Sequence, residues 1–366
     1  MSKLKTLRKR IDQIDNKILR LLNERAKVTL EIGRFKSKGK APSFSPDREA
    51  HIYKRLLESN RSGLLKKETI KAIYREIMSG SLAIQSPPKV AYMGPEATFT
   101  HIAAVKKFGE SLEYIKCDGI ADVFMEVERD RADYGVVPIE NSTEGAVNHT
   151  LDMFIDSELK ICSEMYLPIA HYLMNMTGAL KDIKTIYSHQ QVLAQCRIWL
   201  EKNLPKVELV PVASTTLAAG YARYLNADPN SKNYPKYSAA IASKLAAEKY
   251  GLKIVAKSIE DSSHNITRFL IIGKQETEPT GNDKTSIVFS MKDKAGALHD
   301  VLTPFKKRKV NLTKIESRPS KKKAWKYYFY VDMQGHIKEK KVAQSIKLLE
   351  KHCTYFRVLG SYPASQ

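Results

Sequence analysis

The sequence has few cysteines and no long apolar run, and these absences exclude several classes of protein. Its 366 residues contain four cysteines, which lie far apart and form no Cys-X-X-Cys pair. A disulfide scaffold and a zinc-type metal site are therefore disfavoured. No apolar run approaches the ~18–20 residues of a membrane span, and no apolar segment of the kind found in secretory signals follows the basic N-terminus. We expect a cytoplasmic protein that has reduced thiols, binds no metal and has no membrane partner.

Acidic residues are scarce relative to basic ones, most of all at the two ends of the chain. The sequence has 61 Lys and Arg against 40 Asp and Glu, a net charge of +21. Residues 1–86 hold 21 of the basic and nine of the acidic residues, and residues 283–366 hold 19 and seven. A basic excess can mark a nucleic-acid partner, but no motif of a nucleic-acid-binding fold accompanies it. We expect no nucleic-acid partner, and a salt-dependent shift assay would reveal one.

Neither glycine nor proline interrupts the first 32 residues, where apolar side chains recur at spacings of three and four. This period predicts one long helix over residues 4–36. At ~1.5 Å per residue the helix would be about 50 Å long. Because it is too long to bury its apolar stripe within a small domain, we expect a homodimer or a higher homo-oligomer. Two further helices are expected from 45–47 and over 68–85, so that an all-α domain covers residues 1–86.

From Lys89 the pattern changes to short apolar strands that alternate with helices, which predicts an α/β domain over residues 88–275. Small hydroxyl or amide residues stand at four junctions where a strand ends and a helix begins. The helix N-termini would then collect at one cleft, where their N–H groups can bind an anion. At any single junction the alternative is an ordinary N-cap. Beyond the linker 276–283, the order βαββαβ predicts a ferredoxin-like α+β domain over residues 284–362.

Two cations on the first helix break its apolar pattern. Arg25 occupies a position of the apolar stripe, and Lys36, eleven residues later, returns to within about 20° of the same face. Cations that face an apolar seam need an anionic partner or a bound anion. The alternative is that Arg25 snorkels to solvent and that Lys36 is exposed. Arg8 lies about 100° from that face, so that if it joins the same site, it comes from another chain.

The N-terminal stretches LRKRIDQIDNKILRLLNERAKVTLEIGRFK, SPDREAHI and IMSGSLAIQ resemble the all-helical chorismate mutase family. The resemblance implies an intertwined dimer in which Arg8 is contributed by the opposite subunit. It also implies a substrate-binding site of seven residues: Arg8, Arg25, Lys36, Arg48, Glu49, Ser81 and Gln85. Ser45 departs from the pattern, because some relatives carry an acidic residue at this loop position.

The middle segment resembles prephenate dehydratase through GPEATFTHIAA, DYGVVPIENSTEGAV, SHQQVLAQC, ASTTLAA and SSHNITRF. The resemblance implies two α/β lobes, as in periplasmic binding proteins, and a catalytic Thr267. Strand alternation turns Thr267 away from Arg268, although threonine is also an ordinary strand residue. His189 and His264 are alternative acid–base groups. The substrate-binding residues that the resemblance implies are Thr98, Thr100, Asn141, Ser142, Gln191, Ser214, Thr215 and Thr267.

The last segment resembles the ACT regulatory module. Its motifs GALH and ESRP match a phenylalanine-binding site, and the residues implied are Gly296, Ala297, Leu298, Glu316, Ser317, Arg318 and Pro319. A glycine before a helix lets the polar groups of a ligand approach backbone N–H groups, while the alternative is a bare turn and a strand end. Together, the three segments resemble the bifunctional chorismate mutase–prephenate dehydratases over essentially the whole chain.

This resemblance implies two reactions and no cofactor. Chorismate rearranges to prephenate in a pericyclic step, for which the site must hold a compact conformer of the dianion and stabilise charge on the breaking ether oxygen. Arg8 and Arg25 suit the two carboxylates, while Lys36 and Gln85 would donate to the ether oxygen as the catalytic pair. In the second reaction prephenate loses CO2 and water to give phenylpyruvate. Thr267 would donate a proton or a hydrogen bond to the leaving hydroxyl.

The resemblance also implies feedback inhibition by L-phenylalanine, bound within residues 283–366. One alternative is a dehydratase that prefers arogenate. Another is a non-catalytic protein that senses small anions, because α/β clefts and ACT modules also occur without catalysis. The presence of all seven mutase residues argues against the second alternative. An assay with chorismate discriminates between an enzyme and a non-catalytic sensing protein.

Overall fold

A computed structural model describes residues 2–38, 44–61, 63–224, 237–320 and 326–365. The chain packs into two compact units, of which the first contains Met1–Lys89 and Lys107–Glu113 and the second Val90–Lys106 and Tyr114–Gln366. The division into two units does not test the predicted boundaries of the three domains, which stay predictions. Packing places Lys107–Glu113 with the N-terminal helices.

Three helices form most of the first unit, as the sequence predicted: α1 (Ser2–Lys38), α2 (Pro46–Ser59) and α3 (Lys67–Gln85). Pro46 at the first position of α2 fixes a helical φ, and Asp47 and Glu49 in the first turn interact favourably with the helix N-terminus. The apolar stripe of α1 is 48–57% exposed at each of Leu4, Leu7, Ile11, Ile14, Ile18, Leu21, Val28 and Ile32. Among the described helices, none is both long and apolar enough to cross a membrane.

The α/β segment alternates strands with short helices. Its strands are β1 (Lys89–Met93), β2 (Glu113–Cys117), β3 (Tyr134–Asn141), β4 (Gly145–Ala146), β5 (Lys160–Pro168), β6 (Tyr172–Asn175), β7 (Thr185–Ser188), β8 (Glu208–Pro211), β9 (Ser238–Ala242), β10 (Lys253–Ala256) and β11 (Ile266–Gly273). Its helices are α4 (Phe99–Phe108), α5 (Ile120–Glu128), α6 (Asn148–Asp156), α7 (Gln190–Gln195), α8 (Arg197–Asn203), α9 (Thr215–Tyr224) and α10 (Lys244–Tyr250), with a 3₁₀ turn at Leu180–Asp182.

These strands form two mixed sheets, which confirms the predicted two-lobed α/β fold. The first sheet has the order β2-β1-β3-β11-β5, with β4 paired to β3. In it, β1 and β3 are parallel, while β11 is antiparallel to both of its neighbours. The second sheet has the order β10-β6-β9-β7-β8. The chain crosses to the second sheet between β5 and β6 and returns between β10 and β11, so that two connections link the lobes.

One of the four predicted strand–helix junctions differs in the structure. After β3 the chain does not enter a helix at once but forms a turn and the short strand β4, and α6 begins only at Asn148. The reason is the Asn141 side chain, whose Oδ1 accepts hydrogen bonds from the N–H groups of Thr143 (2.9 Å) and Glu144 (3.1 Å). An asparagine that closes a turn in this way competes with helix formation.

The C-terminal segment forms a third sheet with two helices, as predicted. Its elements are β12 (Asp283–Met291), α11 (Ala297–Lys307), β13 (Leu312–Pro319), β14 (Tyr327–Gln334), α12 (Lys340–Glu350) and β15 (Cys353–Pro363). The antiparallel order β13-β14-β12-β15 is that of a ferredoxin-like fold. Both helices pack on one face of the sheet, against Ile287, Phe289 and Val331.

The other face of the third sheet packs against the first sheet. Tyr330 and Tyr362 belong to the same hydrophobic core as Leu270 of β11. A Cβ on Gly360 would lie 2.2 Å from the carbonyl oxygen of Ile161, so that only glycine permits this close approach of β15 to β5. The first and third sheets therefore share one core rather than being separate modules on a tether.

Candidate functional site

A cavity of about 420 Å³ lies among the helices of the first unit. Six of the seven residues implied by the chorismate mutase resemblance line it: Arg25, Lys36, Arg48, Glu49, Ser81 and Gln85. Arg8, the seventh, is exposed near the start of α1. It lies seventeen residues before Arg25, which is about 25 Å along a helix. The structure thus brings six of the residues together and leaves Arg8 outside the cavity of its own chain.

The Arg25 guanidinium lies between α1 and α3. It donates to Ser81 Oγ, which in turn donates to the Ile77 carbonyl at 2.7 Å. Burial lowers the pKa of Arg25, with a smaller opposing effect of Tyr74. A desolvated cation is stabilised by an anion, so this end of the cavity suits a carboxylate.

Gln85 crosses from α3 to α1 and lines the cavity that Lys36 also lines. Its Nε2 donates to the Thr29 carbonyl at 2.7 Å. A Cβ on Gly33 would lie 3.0 Å from Gln85 Cγ, so the glycine makes room for this side chain. Burial lowers the pKa of Lys36, and Asp47 partly offsets that effect. An amide and an ammonium group therefore face the same cavity, where both can donate hydrogen bonds.

Two polar features of the cavity were not predicted from the sequence. Lys107 lines it together with Glu49, and the Nζ–Oε2 distance is 2.6 Å. Ser45, the position that departs from the family pattern, also lines the cavity and donates to Asp47 Oδ1 at 2.6 Å. The loop before α2 thus keeps a carboxylate near Lys36 through Asp47.

In the second unit, Thr267 lies opposite Asn141 on the neighbouring strands β11 and β3. Asn141 Nδ2 donates to Thr267 Oγ1 and to Asn265 Oδ1, each at 2.8 Å. Thr267 is 9% exposed. Because the amide donates to its oxygen, the Thr267 hydroxyl proton remains available for another acceptor.

Gln195 of α7, which the sequence analysis did not select, makes hydrogen bonds that join the second lobe to the cluster around Thr267 in the first lobe. Its Oε1 accepts from Asn265 Nδ2 at 3.2 Å and lies 2.9 Å from His171 Nε2. Its Nε2 donates to Glu144 Oε1 at 2.9 Å. Sequence analysis selected Gln191, which is exposed one turn earlier in α7. The sequence did contain a signal for Gln195. Gln191 and Gln195 are four residues apart, so both lie on one face of the helix.

His171 lies in the first of the two connections between the lobes, between β5 and β6. Its side chain is 1% exposed, and burial lowers its pKa, opposed in part by the bond to Gln195. Burial therefore favours the neutral imidazole, which makes a hydrogen bond with Gln195.

The other predicted dehydratase residues also have local structural roles. Thr98 Oγ1 donates to the Pro95 carbonyl at 2.9 Å, and Ser142 Oγ donates to the His264 carbonyl at 2.7 Å. Ser214 accepts from the Leu217 N–H at 3.1 Å and so caps α9. The two remaining threonines, Thr100 and Thr215, are buried. Among the described residues, no group of three or more His, Cys, Asp or Glu side chains is arranged to hold a metal ion.

Of the two predicted phenylalanine-binding motifs, one lies in the turn at the start of α11 and the other in strand β13. Gly296 has φ +78° and precedes α11, while Ala297 is buried and Leu298 is exposed. In β13 the residues alternate between exposed and half-buried, so that Ser317 and Pro319 are exposed while Glu316 and Arg318 are half-buried. The Arg318 guanidinium lies 3.3 Å from an Asp152 carboxylate oxygen of α6.

Arg268, the residue after Thr267, is held from both the first and the third sheet. Its Nε donates to Glu164 Oε2 at 2.8 Å, and its guanidinium also contacts Asp332 Oδ2 (2.5 Å) and Tyr362 Oη (3.0 Å). Burial alone would lower the pKa of Arg268, but Tyr362, Asp332 and Glu164 raise it above its ordinary value. Ser286 Oγ donates to the other Asp332 oxygen at 2.6 Å. A buried ion-pair cluster thus lies on the opposite face of the strand from Thr267.

Comparison with known proteins gives three family matches along the chain. The models for chorismate mutase type II, prephenate dehydratase and the ACT domain match residues 7–86, 90–277 and 285–349. A bifunctional chorismate mutase/prephenate dehydratase from Aquifex aeolicus is 49% identical over 366 residues, with 99% of this chain and 98% of the relative covered. The protein of the same description from Pseudomonas aeruginosa is 45% identical, with 98% and 97% covered. The crystal structure of prephenate dehydratase from Arthrobacter aurescens in complex with L-Phe is 35% identical, covers 75% of this chain and 90% of that one, and has a TM-score of 0.68.

Proposed function

The chain belongs to the family of bifunctional chorismate mutase/prephenate dehydratases, and from this premise we propose which residues carry each reaction. It is a chorismate mutase and a prephenate dehydratase of phenylalanine biosynthesis, with an ACT regulatory domain. One observation carries the proposal for the first site: six predicted residues converge on a single cavity.

In the mutase reaction, chorismate binds in the cavity between α1, α2 and α3. Arg25 holds one carboxylate through its guanidinium, and Arg8 of a second subunit holds the other. Lys36 and Gln85 donate to the ether oxygen, where charge develops as the C–O bond breaks and the new C–C bond forms. Arg48, Glu49 and Ser81 fix the ring and its hydroxyl group. The site works by holding one conformer and by electrostatics, so no proton has to be transferred.

In the dehydratase reaction, prephenate binds beside Thr267 between the two lobes. The ring carboxylate leaves as CO2, and its electron pair completes the aromatic ring as the C–O bond of the hydroxyl breaks. The leaving oxygen takes a proton and departs as water. Thr267 donates to that oxygen, since its own oxygen already accepts from Asn141 at 2.8 Å. Gln195 and Glu144 bind each other at 2.9 Å, which brings elements of the two lobes together around the substrate.

The proposal is tested by separating the two activities in the full-length chain. Lys36→Ala removes a charge-stabilising donor, so mutase turnover should fall by ~10²–10³, while turnover of supplied prephenate is unchanged. Thr267→Ala should have the reverse effect, and Thr267→Ser, which keeps the hydroxyl, should retain more dehydratase activity than Thr267→Ala. Prephenate and phenylpyruvate are measured separately for each variant. Equal loss of both activities in a folded Lys36→Ala variant, or equal behaviour of the alanine and serine variants, would contradict the assignment.

We further propose that L-phenylalanine binds the ACT domain and inhibits the dehydratase. The support is the Gly296 turn at the start of α11, together with the buried contact between Asp332 of β14 and Arg268 of β11, 2.5 Å long. Ligand binding that shifts β14 would act on the strand that carries Thr267. A ligand changes activity only if it binds the active and the inhibited arrangement of the protein with different affinities. In this proposal, the Arg268–Asp332 contact transmits the change from the ACT domain to the dehydratase strand.

We also propose that the protein is a homodimer or a higher oligomer in the cytoplasm. The exposed apolar stripe of α1 supports oligomerisation, because a contiguous apolar surface of this length is typical of an interface. All four cysteines are free thiols, as expected in a reducing compartment.

A further inference from the structure

A short segment beyond the N-terminal helices completes the wall of the mutase cavity. Lys107–Glu113 follows the first dehydratase motif in the chain but packs in the same unit as α1–α3. Gly109 has φ +81°, and a Cβ there would lie 2.4 Å from Ser79 Cβ, so that only glycine allows the segment to approach α3 this closely. The Ser111 N–H donates to Ser79 Oγ at 3.1 Å. Since Ser79 is 1% exposed, these contacts are buried and fix the segment.

Lys107 extends from this segment into the cavity. Its Nζ lies 2.6 Å from Glu49 Oε2, and the two side chains are 15% and 11% exposed. The adjacent Phe108 ring packs against Phe44 with the centroids 4.9 Å apart, and Lys107 Nζ lies 5.6 Å from the Phe44 centroid. A charge-assisted bond between largely buried groups is short and directional, unlike an exposed ion pair, which contributes little.

We propose that Lys107 is a positioning residue of the mutase reaction that acts through Glu49. This inference rests on the proposed binding of chorismate in the cavity. Without Lys107, Glu49 would lose its hydrogen-bonded cation in a small cavity that has to accept a dianion, and like charges at close range oppose binding. With Lys107 in place, one carboxylate oxygen is held and the other is left to accept from the ring hydroxyl of the substrate.

The position of Lys107 in the chain links the proposed mutase site to α4. Lys107 is the penultimate residue of α4, whose first residues belong to the second unit. The mutase site therefore uses a side chain from beyond residues 1–86, and its competence depends on the folding of α4.

The test compares Lys107→Met with Lys106→Met in the full-length chain. Lys106 is the preceding residue and is exposed, so it controls for the loss of one positive charge and one amine. For Lys107→Met, we expect kcat/KM for chorismate to fall about tenfold, the scale of one charge-assisted hydrogen bond, with most of the change in KM. Lys106→Met should behave as the unsubstituted chain, and Lys107→Arg should recover most of the loss. Equal values for the Lys107→Met and Lys106→Met chains would overturn the inference.

A double-mutant cycle identifies the route of the effect. If Lys107 acts through Glu49, Lys107→Met should change KM much less in a Glu49→Gln background than in the unsubstituted chain. An unchanged effect in that background would overturn positioning through Glu49. Far-UV circular dichroism and thermal unfolding report folding of the helices in every variant, and Lys107→Gln replaces Lys107→Met if the latter fails this check. Retained mutase turnover in Lys36→Ala would instead refute the proposed chorismate site itself, so the two failures are distinguishable.

Discussion

Burial determines the chemistry of the two cations that α1 places in the mutase cavity. Desolvation is the main cause that lowers the pKa of both Arg25 and Lys36, with smaller opposing effects of Tyr74 and Asp47. An arginine remains protonated throughout the pH range of an enzyme assay even when partly buried. A lysine does not, so Lys36 is the group whose charge changes first as the pH rises.

This difference predicts the alkaline limb of mutase activity. Lys36 must be protonated to donate to the ether oxygen, and a lowered pKa means that the proton is lost at a lower pH than from an ordinary lysine. We expect mutase kcat/KM to be constant between pH 6 and 8, because Gln85 is a neutral amide that does not titrate. It should then fall with a midpoint below 10.5, the ordinary lysine value, since kcat/KM reports groups of the free enzyme.

The control is Lys36→Arg, whose guanidinium does not titrate in this range. Any residual mutase activity of this variant should lack the alkaline limb. A limb that persists in Lys36→Arg would mean that a different group titrates.

Some residues of the two sites could be identified from the sequence, and others could not. Arg25 and Lys36 could be found because a charge on an apolar helix stripe breaks a period that is visible in one segment. Lys107 and Gln195 could not, because each acts on partners brought close only by the tertiary fold. Glu49 lies 58 residues from Lys107, and Asn265 lies 70 residues from Gln195. The local pattern of Lys107 does not distinguish it from a solvated side chain, and the Gln191–Gln195 repeat marks a helix face without showing which glutamine reaches Asn265.

At the scale of elements, strand β11 carries the proposed catalytic residue on one face and the buried ion-pair cluster with the third sheet on the other. Thr267 is hydrogen-bonded to Asn141, while the next side chain, Arg268, is bound by Glu164 and Asp332. Because successive side chains of a strand point to opposite faces, a displacement of Arg268 moves the backbone that also positions Thr267. We therefore propose that the ion-pair cluster influences Thr267 through the peptide unit that joins the two residues.

Asp332→Asn should therefore weaken feedback inhibition without abolishing effector binding. The substitution keeps the shape of the side chain but removes the charge that binds Arg268. With a coupling free energy of ~1–3 kcal/mol, the L-phenylalanine concentration for half-inhibition of the dehydratase should rise about 5–150-fold. Calorimetry should still detect L-phenylalanine binding. The matched control is Glu350→Gln at the exposed end of α12, and half-inhibition of Asp332→Asn at the control's concentration would contradict the proposed link.

A point substitution tests regulation better than removal of the whole third sheet. Deleting residues 283–366 would take Tyr330 and Tyr362 out of the core that they share with Leu270. The shortened chain would therefore lose dehydratase stability as well as its effector site, whereas Asp332→Asn leaves this shared core in place.

At the scale of the whole molecule, the order of folds could be predicted from the sequence, but the way in which they pack could not. The acidic, Pro- and Gly-containing stretch 276–283 predicts a linker, yet Thr277 within it is buried and its carbonyl oxygen lies 3.0 Å from His336 Nε2. One signal was present in β12, where Ile287, Val288 and Phe289 are consecutive apolar residues. Such a run is typical of a strand that is covered on both faces, and here Val288 packs against the first sheet while Ile287 and Phe289 pack against α11 and α12.

The last feature at this scale is the exposed apolar stripe of α1, which bears directly on Arg8. The helix of 37 residues is about 55 Å long, and Arg8 is outside the cavity that contains Arg25. A second chain packed along the stripe would bury the apolar surface and could bring its own Arg8 to the cavity. Symmetric dimers of this kind exchange equivalent residues between two identical sites.

Mixing two inactive variants tests this exchange. Arg8→Ala and Lys36→Ala should each lose mutase activity as homodimers, because every site then lacks one cation. In a mixed dimer, the Arg8→Ala chain supplies an intact Lys36 and its partner an intact Arg8, so one of the two sites is complete. With random pairing, half of the dimers are mixed, and mutase activity should return to about one quarter of that of the unsubstituted enzyme. Chains co-expressed with different tags allow the mixed dimer to be purified and assayed directly. If Arg8 serves the cavity of its own chain, neither site of the mixed dimer is complete and the activity does not return.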